Sequence, residues 1–273
     1  MIELPEARVT AKYLEKEIKG KKIIDVRGDF YNHKFTFYHE DPTKYKSYLI
    51  NKKVTKIIPR NFYIELEIED YKLIMRDGAN IRYYKDNKEQ LTSKLQLCFE
   101  DGSIINVTVG MYGFIGVAPK EKVVNEYYGL ELSGIGALDK EFTLEYFLNL
   151  INDNLKLSAK AFLATGQRIL GIGNGVVQDI LFNAGIHPKT KMKDLSSKKR
   201  QILYKSIKDT LEEMIAKGGR DTEKDIYGEY GGYKTILSSK SYKNDCPICK
   251  ERIKKKSYLG GSIYYCPKCQ EEI

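Results

Sequence analysis

The sequence predicts an α+β protein with an N-terminal helix, a region of short strands, a helical region and a small β-hairpin that carries four cysteines. Two observations lead to this prediction. After an N-terminal stretch with helical spacing, the hydrophobic pattern alternates with a period of two over residues 21–118 and then returns to helical spacing. Four of the five cysteines lie between Cys246 and Cys269. We therefore expect three segments, which comprise residues 1–118, 119–237 and 238–273.

The first segment opens with an amphipathic helix and continues with many short strands. In the stretch LPEARVTAKYLEKEIKGKK, apolar residues such as Leu14 and Ile18 recur at helical spacing. Pro5 suits the first turn of a helix, and Gly20 suits its end. The runs that follow, from KIIDVRG to GFIGVAP, alternate apolar and polar residues between turn residues. Their spacing predicts a β-sandwich or barrel over residues 21–118.

Length and charge restrict the class of protein. The chain has 273 residues, of which 46 are Lys or Arg and 37 are Asp or Glu, so its formal net charge is +9 and its pI is near 9.0. This basic character favours an anionic partner, either nucleic acid or an acidic membrane surface. No apolar run approaches the length of a membrane span, and the N-terminus lacks the apolar core of a signal peptide. We therefore expect a soluble, cytoplasmic protein.

The second segment has helical patterns and a glycine-rich turn. The stretches KEFTLEYFLNLIND, SAKAFLAT, NGVVQDILFNAG and KKRQILYKSIKDTLEEMIAKGG predict helices. In GIGNG, Gly171, Gly173 and Gly175 surround Asn174 just before one of them. Backbone N–H groups and the Asn174 amide can bind a phosphate at such a helix start, and a tight structural turn explains the same residues equally well. A dinucleotide-binding motif is excluded because the preceding stretch has a helical pattern and no βαβ unit surrounds the glycines.

The clustered cysteines predict a metal site. Cys246, Cys249, Cys266 and Cys269 have the spacing C-x2-C-x16-C-x2-C, in which two tight knuckles present four thiolates to one Zn²⁺ ion. Four thiolates leave no open coordination position, so the ion is expected to be structural. The letters YLGGSIYY between the knuckles predict a turn between two strands. The fifth cysteine, Cys98, lies in a strand-like run and is expected to be a core residue.

Basic residues crowd the cysteine hairpin. A folding staple is one explanation of so small a unit. Its lysines, among them Lys255 and Lys256, favour a second explanation, which is contact with phosphates.

Two carboxylates accompany the N-terminal amine. The stretch MIELPEAR places Glu3 and Glu6 near the α-amine of Met1. An α-amine has an unperturbed pKa of about 7.7 to 8.0, so a useful fraction is neutral and nucleophilic near neutral pH. Acidic residues at a helix start are also ordinary partners of the helix dipole, and the residues alone favour this simpler explanation.

Three stretches together resemble a known family. ELPE near the N-terminus, GIGNG followed by AGIHP, and a terminal YYCPKCQ occur in an order similar to that of the formamidopyrimidine-DNA glycosylase and endonuclease VIII family. The resemblance spans the whole chain and implies an N-terminal helix, a β-sandwich, a helix-two-turn-helix domain and a zinc finger. It also implies an enzyme that flips oxidised bases out of DNA, excises them, and cuts the strand through a Schiff base on its N-terminal amine.

The resemblance implies roles for particular residues. Glu3 is expected to be the acid or base near the sugar, Glu6 a further active-site carboxylate, and the Met1 amine the nucleophile. The clustered cysteines are expected to bind zinc. With the glycine turn and the hairpin lysines included, the expected DNA contacts are Lys160, Gly173, Asn174, Lys255 and Lys256.

The chain departs from the family pattern at several positions. Ile2 stands where family enzymes carry the nucleophilic proline, and Phe62 stands where a β-hairpin carries a lysine. Gly261, five residues before the third cysteine, replaces an arginine that clasps a phosphate. The loop TVGMYGFIGV has no arginine to fill the gap left by a flipped base. The candidates to fill it are Met111, Tyr112 and Phe114.

A polar stretch after the long helix, GGRDTEKDIYGEYGGYKT, is a candidate for contact with the flipped base. In family enzymes the corresponding region closes over that base, so Arg220, Asp221 and Glu223 are candidates to read it. A polar turn with a helix cap explains the same residues about equally well.

Two hypotheses of different classes follow. The first is a divergent DNA glycosylase that acts on damaged bases and has weak or absent lyase activity. The second is a non-catalytic protein on the same scaffold that binds damaged or distorted DNA. Binding of structured RNA is a third and weaker hypothesis. For the first two we expect double-stranded DNA as the partner of a monomer that is associated with the nucleoid and not with a membrane.

Overall fold

A computed structural model of the chain describes residues 2–28, 34–86, 92–122 and 134–272. It divides into two compact units. The first unit comprises Met1–Gly129 with Glu223–Tyr230, and the second comprises Leu130–Thr222 with Gly231–Ile273. The segment Glu223–Tyr230 thus belongs to the first unit, although the residues that flank it in sequence belong to the second.

Helix α1 opens the first unit and spans Leu4–Ile18. A proline occupies its first turn, where the missing N–H costs nothing, and the helix stops before Gly20, whose φ of 82° suits only glycine well. Its apolar stripe, which includes Ala11, Leu14 and Ile18, is buried in the core of the unit. The N-terminal helix predicted from the sequence is therefore confirmed.

The rest of the first unit is mostly sheet. A 3-10 turn at Pro42–Lys44 and helix α2 at Tyr45–Leu49 lie between its second and third strands. Among the described residues the sheet has seven strands in the order β1-β6-β7-β5-β4-β3, with β2 parallel to β7. The strands are β1 at Ile23–Arg27, β2 at Thr36–His39, β3 at Val54–Pro59, β4 at Tyr63–Ile68, β5 at Tyr71–Tyr84, β6 at Leu95–Phe99 and β7 at Ile104–Pro119.

Strands β5 and β7 are longer than the sequence pattern predicts. The pattern gives two short strands in each region, because Gly78 and the glycines near Met111 look like strand ends. In the structure each region forms one continuous strand, and the pairing of β5 with β7 has a register shift between Asp77 and Ala79. A Cβ atom at Gly78 would lie 2.2 Å from the carbonyl oxygen of Met111, so glycine is required for this close approach. The glycines here bend the strands and do not end them.

The second unit carries helices whose starts are capped by side chains. Helix α3 spans Leu144–Asn152, α4 Ala159–Ala164, α5 Val176–Asn183 and α6 Ser197–Ala216, with a 3-10 turn at Met192–Asp194 before α6. The side-chain oxygens of Thr143, Ser158 and Ser196 each accept a hydrogen bond from the backbone N–H three residues later. These caps fix where α3, α4 and α6 begin. The predicted helices are present.

The stretch just before the GIGNG turn differs from its predicted helical pattern. Helix α4 ends at Ala164, and turns lead from there to α5. The side chain of Arg168 donates hydrogen bonds to the carbonyl oxygens of Ala161 and Thr165, 3.4 Å and 2.5 Å away. These bonds satisfy carbonyl groups at the helix end, so the apolar residues that follow are free to pack without helical geometry.

A two-stranded hairpin closes the second unit. Strand β8 spans Lys254–Tyr258 and pairs with β9, which spans Gly261–Tyr265. The two residues between them, Leu259 and Gly260, both have positive φ, at 52° and 70°. This is the geometry of a tight hairpin turn, as the letters YLGGSIYY predict. In the part of the chain that the structure describes, no helix is both long and apolar enough to cross a membrane.

Candidate functional site

A pocket of the first unit gathers several of the residues singled out from the sequence. The start of α1 forms one side of it and the middle of β5 another, while the segment Glu223–Tyr230 contributes its first two residues. The lining residues are Ile2, Glu6, Thr10, Ala79, Asn80, Ile81, Arg82, Glu223 and Lys224.

The charges in this pocket are mixed. Glu6 and Glu223 bring carboxylates, and Arg82 and Lys224 bring cations. Asn80 adds an amide whose Nδ2 donates to the carbonyl oxygen of Gly78 at 3.3 Å. A pocket with hydrogen-bond donors and acceptors on facing elements suits a polar ligand that carries both kinds of group.

The N-terminal residues are fixed by the backbone of β5. The Ile2 N–H donates a hydrogen bond of 2.9 Å to the carbonyl oxygen of Asp77. Glu3 is buried, with 5% of its surface exposed, and occupies the position before α1 without making a capping hydrogen bond to that helix. Glu6 lies in the first turn of α1, where the helix dipole stabilises a negative charge. Met1, the predicted nucleophile, lies outside the described residues.

The β3–β4 hairpin carries Phe62, the residue that replaces the family lysine. The Arg60 N–H donates to the Tyr63 carbonyl oxygen at 2.9 Å and closes the loop of the hairpin. The guanidinium of Arg76 lies 4.7 Å from the centre of the Phe62 ring. Phe62 is therefore a packing partner of a cation, and position 62 offers no amino group of its own.

The three candidates for filling the space of a flipped base have different environments. Met111 and Tyr112 are 63% and 52% exposed at the bend of β7, and Tyr112 has a positive φ of 52°. Phe114 is only 5% exposed and packs in a small core with Tyr63 and Ile74. Phe114 is therefore a core residue, and the hypothesis that it inserts into DNA is wrong. The two exposed side chains remain as candidates.

In the second unit the four cysteines converge. Their sulfur atoms all lie within 4.8 Å of one another. Cys246 and Cys266 are buried, and the Cys269 N–H points at the Cys266 sulfur at 3.4 Å, as in a tight knuckle. Four thiols at these distances match the donor set and the size of a tetrahedral metal site. The predicted clustering is confirmed, and the cysteines fit a four-thiolate metal centre.

The remaining cysteine lies apart from this cluster. Cys98 is buried in β6, and its thiol lies 3.9 Å from the side-chain oxygen of Gln96. Burial raises the pKa of the Cys98 thiol. A buried thiol of this kind packs as a small apolar residue, as expected from the sequence.

Gln178, on α5, joins the GIGNG turn to the finger hairpin, and no sequence motif had singled it out. Its side-chain Nε2 donates to the carbonyl oxygens of Asn174 and Ser262, at 3.0 Å and 3.1 Å. Its Oε1 accepts from the Tyr264 N–H at 3.1 Å. One side chain thus holds both the backbone before α5 and strand β9 of the hairpin. The sequence signal that could have identified Gln178 is its position as a polar residue within the mostly apolar pattern of α5.

Lys160, Asn174 and Gly261 meet at this junction. The Lys160 Nζ donates to the carbonyl oxygen of Tyr258 at 2.8 Å, and burial lowers the pKa of Lys160. A Cβ atom at Gly261 would lie 3.3 Å from the Asn174 Oδ1 and 3.5 Å from the Lys160 Nζ. Asn174 is exposed and Gly173 partly so, which leaves the turn open to an external ligand. Lys160 and Asn174, two of the expected DNA contacts, thus both lie next to Gly261, and their contact with DNA stays a prediction.

The hairpin presents cations to solvent. Lys255 and Lys256 are exposed on β8. The Lys255 Nζ lies 5.4 Å from the ring centre of Tyr242, and the Lys256 Nζ lies 5.9 Å from that of Tyr265. Aromatic rings beneath the lysine stems hold the charged groups at the surface, where they can meet an anion.

Two of the three candidates after the long helix lie in the second unit as parts of its scaffold. Asp179 of α5 is 1% exposed and accepts hydrogen bonds from the Ile236 and Leu237 N–H groups, at 2.9 Å and 2.8 Å. Burial raises the pKa of Asp179 to about 6, and the charge of Arg220 opposes that rise. Arg220 is itself 3% exposed, so it acts here as a counter-charge for a buried carboxylate.

Asp221 has a similar local role. Its Oδ1 accepts from the N–H and the hydroxyl of Thr235, at 3.2 Å and 2.9 Å. The Lys240 Nζ donates to its carbonyl oxygen at 2.9 Å. These bonds hold a polar turn. Of the three candidates, Glu223 is the one that lines the pocket described above.

A family model matches part of the chain, and full-length relatives carry the name of the same family. Residues 134–225 match the family model of the formamidopyrimidine-DNA glycosylase H2TH domain. The chain is 27% identical over 281 residues to the formamidopyrimidine-DNA glycosylase of Cytobacillus firmus, and the match covers 99% of this chain and 100% of that protein. It is 25% identical over 278 residues to the enzyme of the same name from Lactococcus lactis subsp. cremoris, with 100% of each chain covered.

The solved structures that match this chain are also Fpg proteins. The Lactococcus lactis Fpg, in a complex with DNA that contains an abasic site, matches with a TM-score of 0.85 and 25% identity over 99% of this chain and 100% of that chain. The MutM (Fpg) protein of Thermus thermophilus matches in fold, with a TM-score of 0.83, 18% identity and 99% of each chain covered. This chain is thus similar over nearly its whole length to formamidopyrimidine-DNA glycosylases, and its residues 134–225 match the H2TH domain of that family.

Proposed function

We propose that this protein is a DNA glycosylase that removes damaged bases from double-stranded DNA after flipping them out of the helix. The observation that carries the proposal is the pocket at the start of α1, which brings Glu6 and Glu223 together with Arg82 and Lys224. A flipped base is a flat ring that bears hydrogen-bond donors and acceptors, and this pocket offers partners for both. Relatives that match over their full length are named as glycosylases of this kind.

Base removal needs a proton donor or an activated water at the sugar. Glu3 lies just before α1 and Glu6 lies in its first turn. We assign the acid and base chemistry to these two carboxylates. The backbone N–H of Ile2 donates a hydrogen bond to the carbonyl oxygen of Asp77. Ile2 also stands where the family pattern has a proline. We therefore propose that hydrolysis dominates and that strand cleavage is weak or absent. The Met1 amine is the nucleophile for whatever lyase activity remains.

DNA is held, in this proposal, through its phosphates. The GIGNG turn offers Gly173 and Asn174, Lys160 lies beneath them, and the hairpin offers Lys255 and Lys256. One structural Zn²⁺ on the four cysteines gives the hairpin its shape and takes no part in the chemistry. The Lactococcus lactis Fpg binds DNA that contains an abasic site, which supports DNA as the partner here. We further propose that the protein acts as a monomer on the nucleoid.

Two observations favour a second candidate function. Ile2, at the position where the family pattern has proline, lines the pocket, and Phe62 packs against Arg76 and supplies no amine. A protein that binds damaged or distorted DNA without turnover requires neither group. This non-catalytic function is the alternative to the glycosylase.

One experiment separates these functions. End-labelled duplexes that carry an abasic site or one of a panel of oxidised bases are incubated with the protein, with and without sodium borohydride, and resolved on a denaturing gel. We expect alkali-revealed base loss with little or no borohydride-trapped adduct. A strong adduct would show that an amine still attacks the sugar and would overturn the hydrolytic proposal. Tight binding with neither base loss nor adduct would establish the alternative.

The hairpin lysines allow a prediction about salt. The Lys256→Met variant is expected to bind duplex DNA several-fold more weakly at low salt, because it loses a cation that Tyr265 holds at the surface. One lost phosphate contact lowers the slope of log affinity against log salt by about 0.9. Fluorescence anisotropy at several salt concentrations measures both effects. Lys205→Met is the matched control, since Lys205 lies on α6 in an ion pair with Asp209. Equal salt slopes for Lys256→Met and the wild type would remove Lys256 from the DNA contact surface.

A further inference from the structure

The segment Glu223–Tyr230, here called the strap, is anchored in the first unit by its middle. The side chain of Ile226 is fully buried in the core formed by α1 and the sheet. Its carbonyl oxygen accepts a hydrogen bond of 2.7 Å from the Tyr83 N–H of β5. The strap is thus attached by one apolar side chain and one backbone bond at this point, while the chain on either side of it belongs to the second unit.

The strap has an internally bonded backbone. The Asp225 Oδ1 accepts hydrogen bonds from the N–H groups of Tyr227 and Glu229, at 2.8 Å and 3.0 Å. The Asp225 N–H donates to the Glu229 carbonyl oxygen at 2.8 Å. Lys224 and Tyr230 pair across the ends of this turn, and the Lys224 Nζ lies 5.1 Å from the centre of the Tyr230 ring. These contacts connect the two ends of the strap to each other and to its middle.

Tyr227 makes the polar anchor. Its hydroxyl donates a hydrogen bond of 2.7 Å to the Oε1 of Glu17 on α1. Its ring packs against the rings of Tyr13 and Tyr83, with centres 5.4 Å and 6.4 Å away. The hydrogen bond from Tyr227 lowers the pKa of Glu17, so the acceptor is a carboxylate at neutral pH. This charge-assisted bond is stronger than one between two neutral groups.

The other end of the strap enters the pocket. Glu223 and Lys224 line it, four and three residues before Tyr227. Arg82, which also lines the pocket, is the neighbour on β5 of Tyr83, which bonds and packs against the strap. The position of the Glu223 carboxylate therefore depends on how firmly the strap is held.

We propose that Tyr227 is a positioning residue, whose hydrogen bond to Glu17 holds the strap in place and thereby holds Glu223 against the flipped base. This inference rests on the proposed function. It goes beyond that function because it assigns recognition of the base to Glu223 and assigns the placement of Glu223 to a hydrogen bond outside the pocket. Tyr227 is 42% exposed and does not line the pocket, so it acts through Glu223 and not by touching the substrate.

The first test is independent of any activity. Amide hydrogen exchange is followed at Tyr83, whose N–H is bonded to the strap, and at Glu229 within it. Tyr227→Phe is expected to speed exchange about three- to tenfold, the effect of losing one such bond. Glu17→Ala is expected to speed it at least as much, because Glu17 also has a hydrogen bond with the Tyr83 side chain. Glu17→Gln keeps an acceptor and is expected to retain most of the protection. Tyr38→Phe is the matched control, because it loses a hydroxyl bond of 3.1 Å to the Lys94 carbonyl oxygen in the same unit.

The second test is a double-mutant cycle on substrate recognition. The affinity for duplex with a damaged base relative to undamaged duplex, and the kcat and KM of base loss, are measured for Tyr227→Phe, Glu223→Gln and the double variant. We expect each single variant to lower the relative affinity about three- to tenfold and to raise KM more than it lowers kcat. The double variant is expected to equal Glu223→Gln alone, since Tyr227 acts through that carboxylate.

The two tests distinguish failure of the positioning proposal from failure of the proposed function. Unchanged exchange in Tyr227→Phe and Glu17→Ala would overturn the strap anchor, whatever the activity of the protein. Faster exchange with unchanged recognition, or additive effects in the cycle, would overturn the positioning of Glu223. A wild-type protein without base loss would refute the proposed glycosylase, and the relative affinity would still decide whether Tyr227 positions Glu223. A wild-type protein that also fails to distinguish damaged duplex would overturn both proposals.

Discussion

Replacing Cys249 with serine is expected to abolish metal binding by the four-cysteine site, unfold the β8–β9 hairpin and lower the affinity for duplex DNA on the order of 100-fold. The four sulfur atoms lie within 4.8 Å of one another and link the two knuckles of the finger. An isolated two-stranded hairpin is marginal in water, so a metal held by the four sulfur atoms is expected to stabilise this one. The hairpin in turn carries Lys255 and Lys256 and fixes the backbone that Gln178 and Lys160 contact.

The measurement pairs metal content with affinity. Elemental mass spectrometry of the wild-type protein is expected to find one zinc ion per chain, and of Cys249→Ser far less. Fluorescence anisotropy with a duplex follows the loss of affinity. Cys98→Ala removes the thiol outside the cluster and is expected to leave both the zinc content and the affinity unchanged. A Cys249→Ser variant that keeps one zinc ion and binds DNA like the wild type would contradict the structural role of the site.

Features that depend on residues close in sequence were predictable. The spacing of the cysteines requires two knuckles, and the letters between them require a tight turn, which the structure forms at Leu259 and Gly260. The periodicity that predicts α1 and α6 reflects apolar stripes that each bury one face of a helix. Such patterns can be recognised within a short stretch of sequence, because helix and strand geometry repeats over a few residues.

Features that depend on distant residues were not predictable. Nothing near Glu223 in sequence shows that it shares a pocket with Glu6, since that depends on how Ile226 is buried in the sheet core. Gln178 looks like one polar residue on a helix until the hairpin supplies its partners. The burial of Phe114 follows from packing against Tyr63, which no local pattern reveals.

The resemblance to a family added what spacing alone left open. By themselves, Glu3 and Glu6 are ordinary helix-start carboxylates, and GIGNG is an ordinary turn. The family pattern connects them to one function, and the structure gives the local surroundings of each. Asn174, Lys160 and Gly261 meet at the turn, whereas Arg220 and Asp221 have local bonding roles in the second unit.

The largest effect on chemistry is expected from the carboxylates at the start of α1. Glu3→Gln and Glu6→Gln remove a proton donor or acceptor and keep size and hydrogen-bonding capacity, so base loss is expected to fall about 10² to 10⁴-fold in at least one of them. Affinity for damaged duplex is expected to fall far less than base loss, because the phosphate contacts that we propose lie on the second unit. Single-turnover base release measures the first quantity, and anisotropy measures the second.

Glu15→Gln is the matched control for these two variants, since Glu15 lies on the exposed side of the same helix in an ion pair with Lys19. The dipole of α1 favours negative charge in its first turn, so Glu6→Gln is expected to cost about 0.3 to 1 kcal/mol of stability, which thermal unfolding detects. That loss is too small to unfold the protein, so a loss of base release in Glu6→Gln has a chemical cause. If Glu3→Gln and Glu6→Gln both release base at the wild-type rate, neither carboxylate is the acid or base, and the chemistry must be sought among Glu223 and the other groups of the pocket.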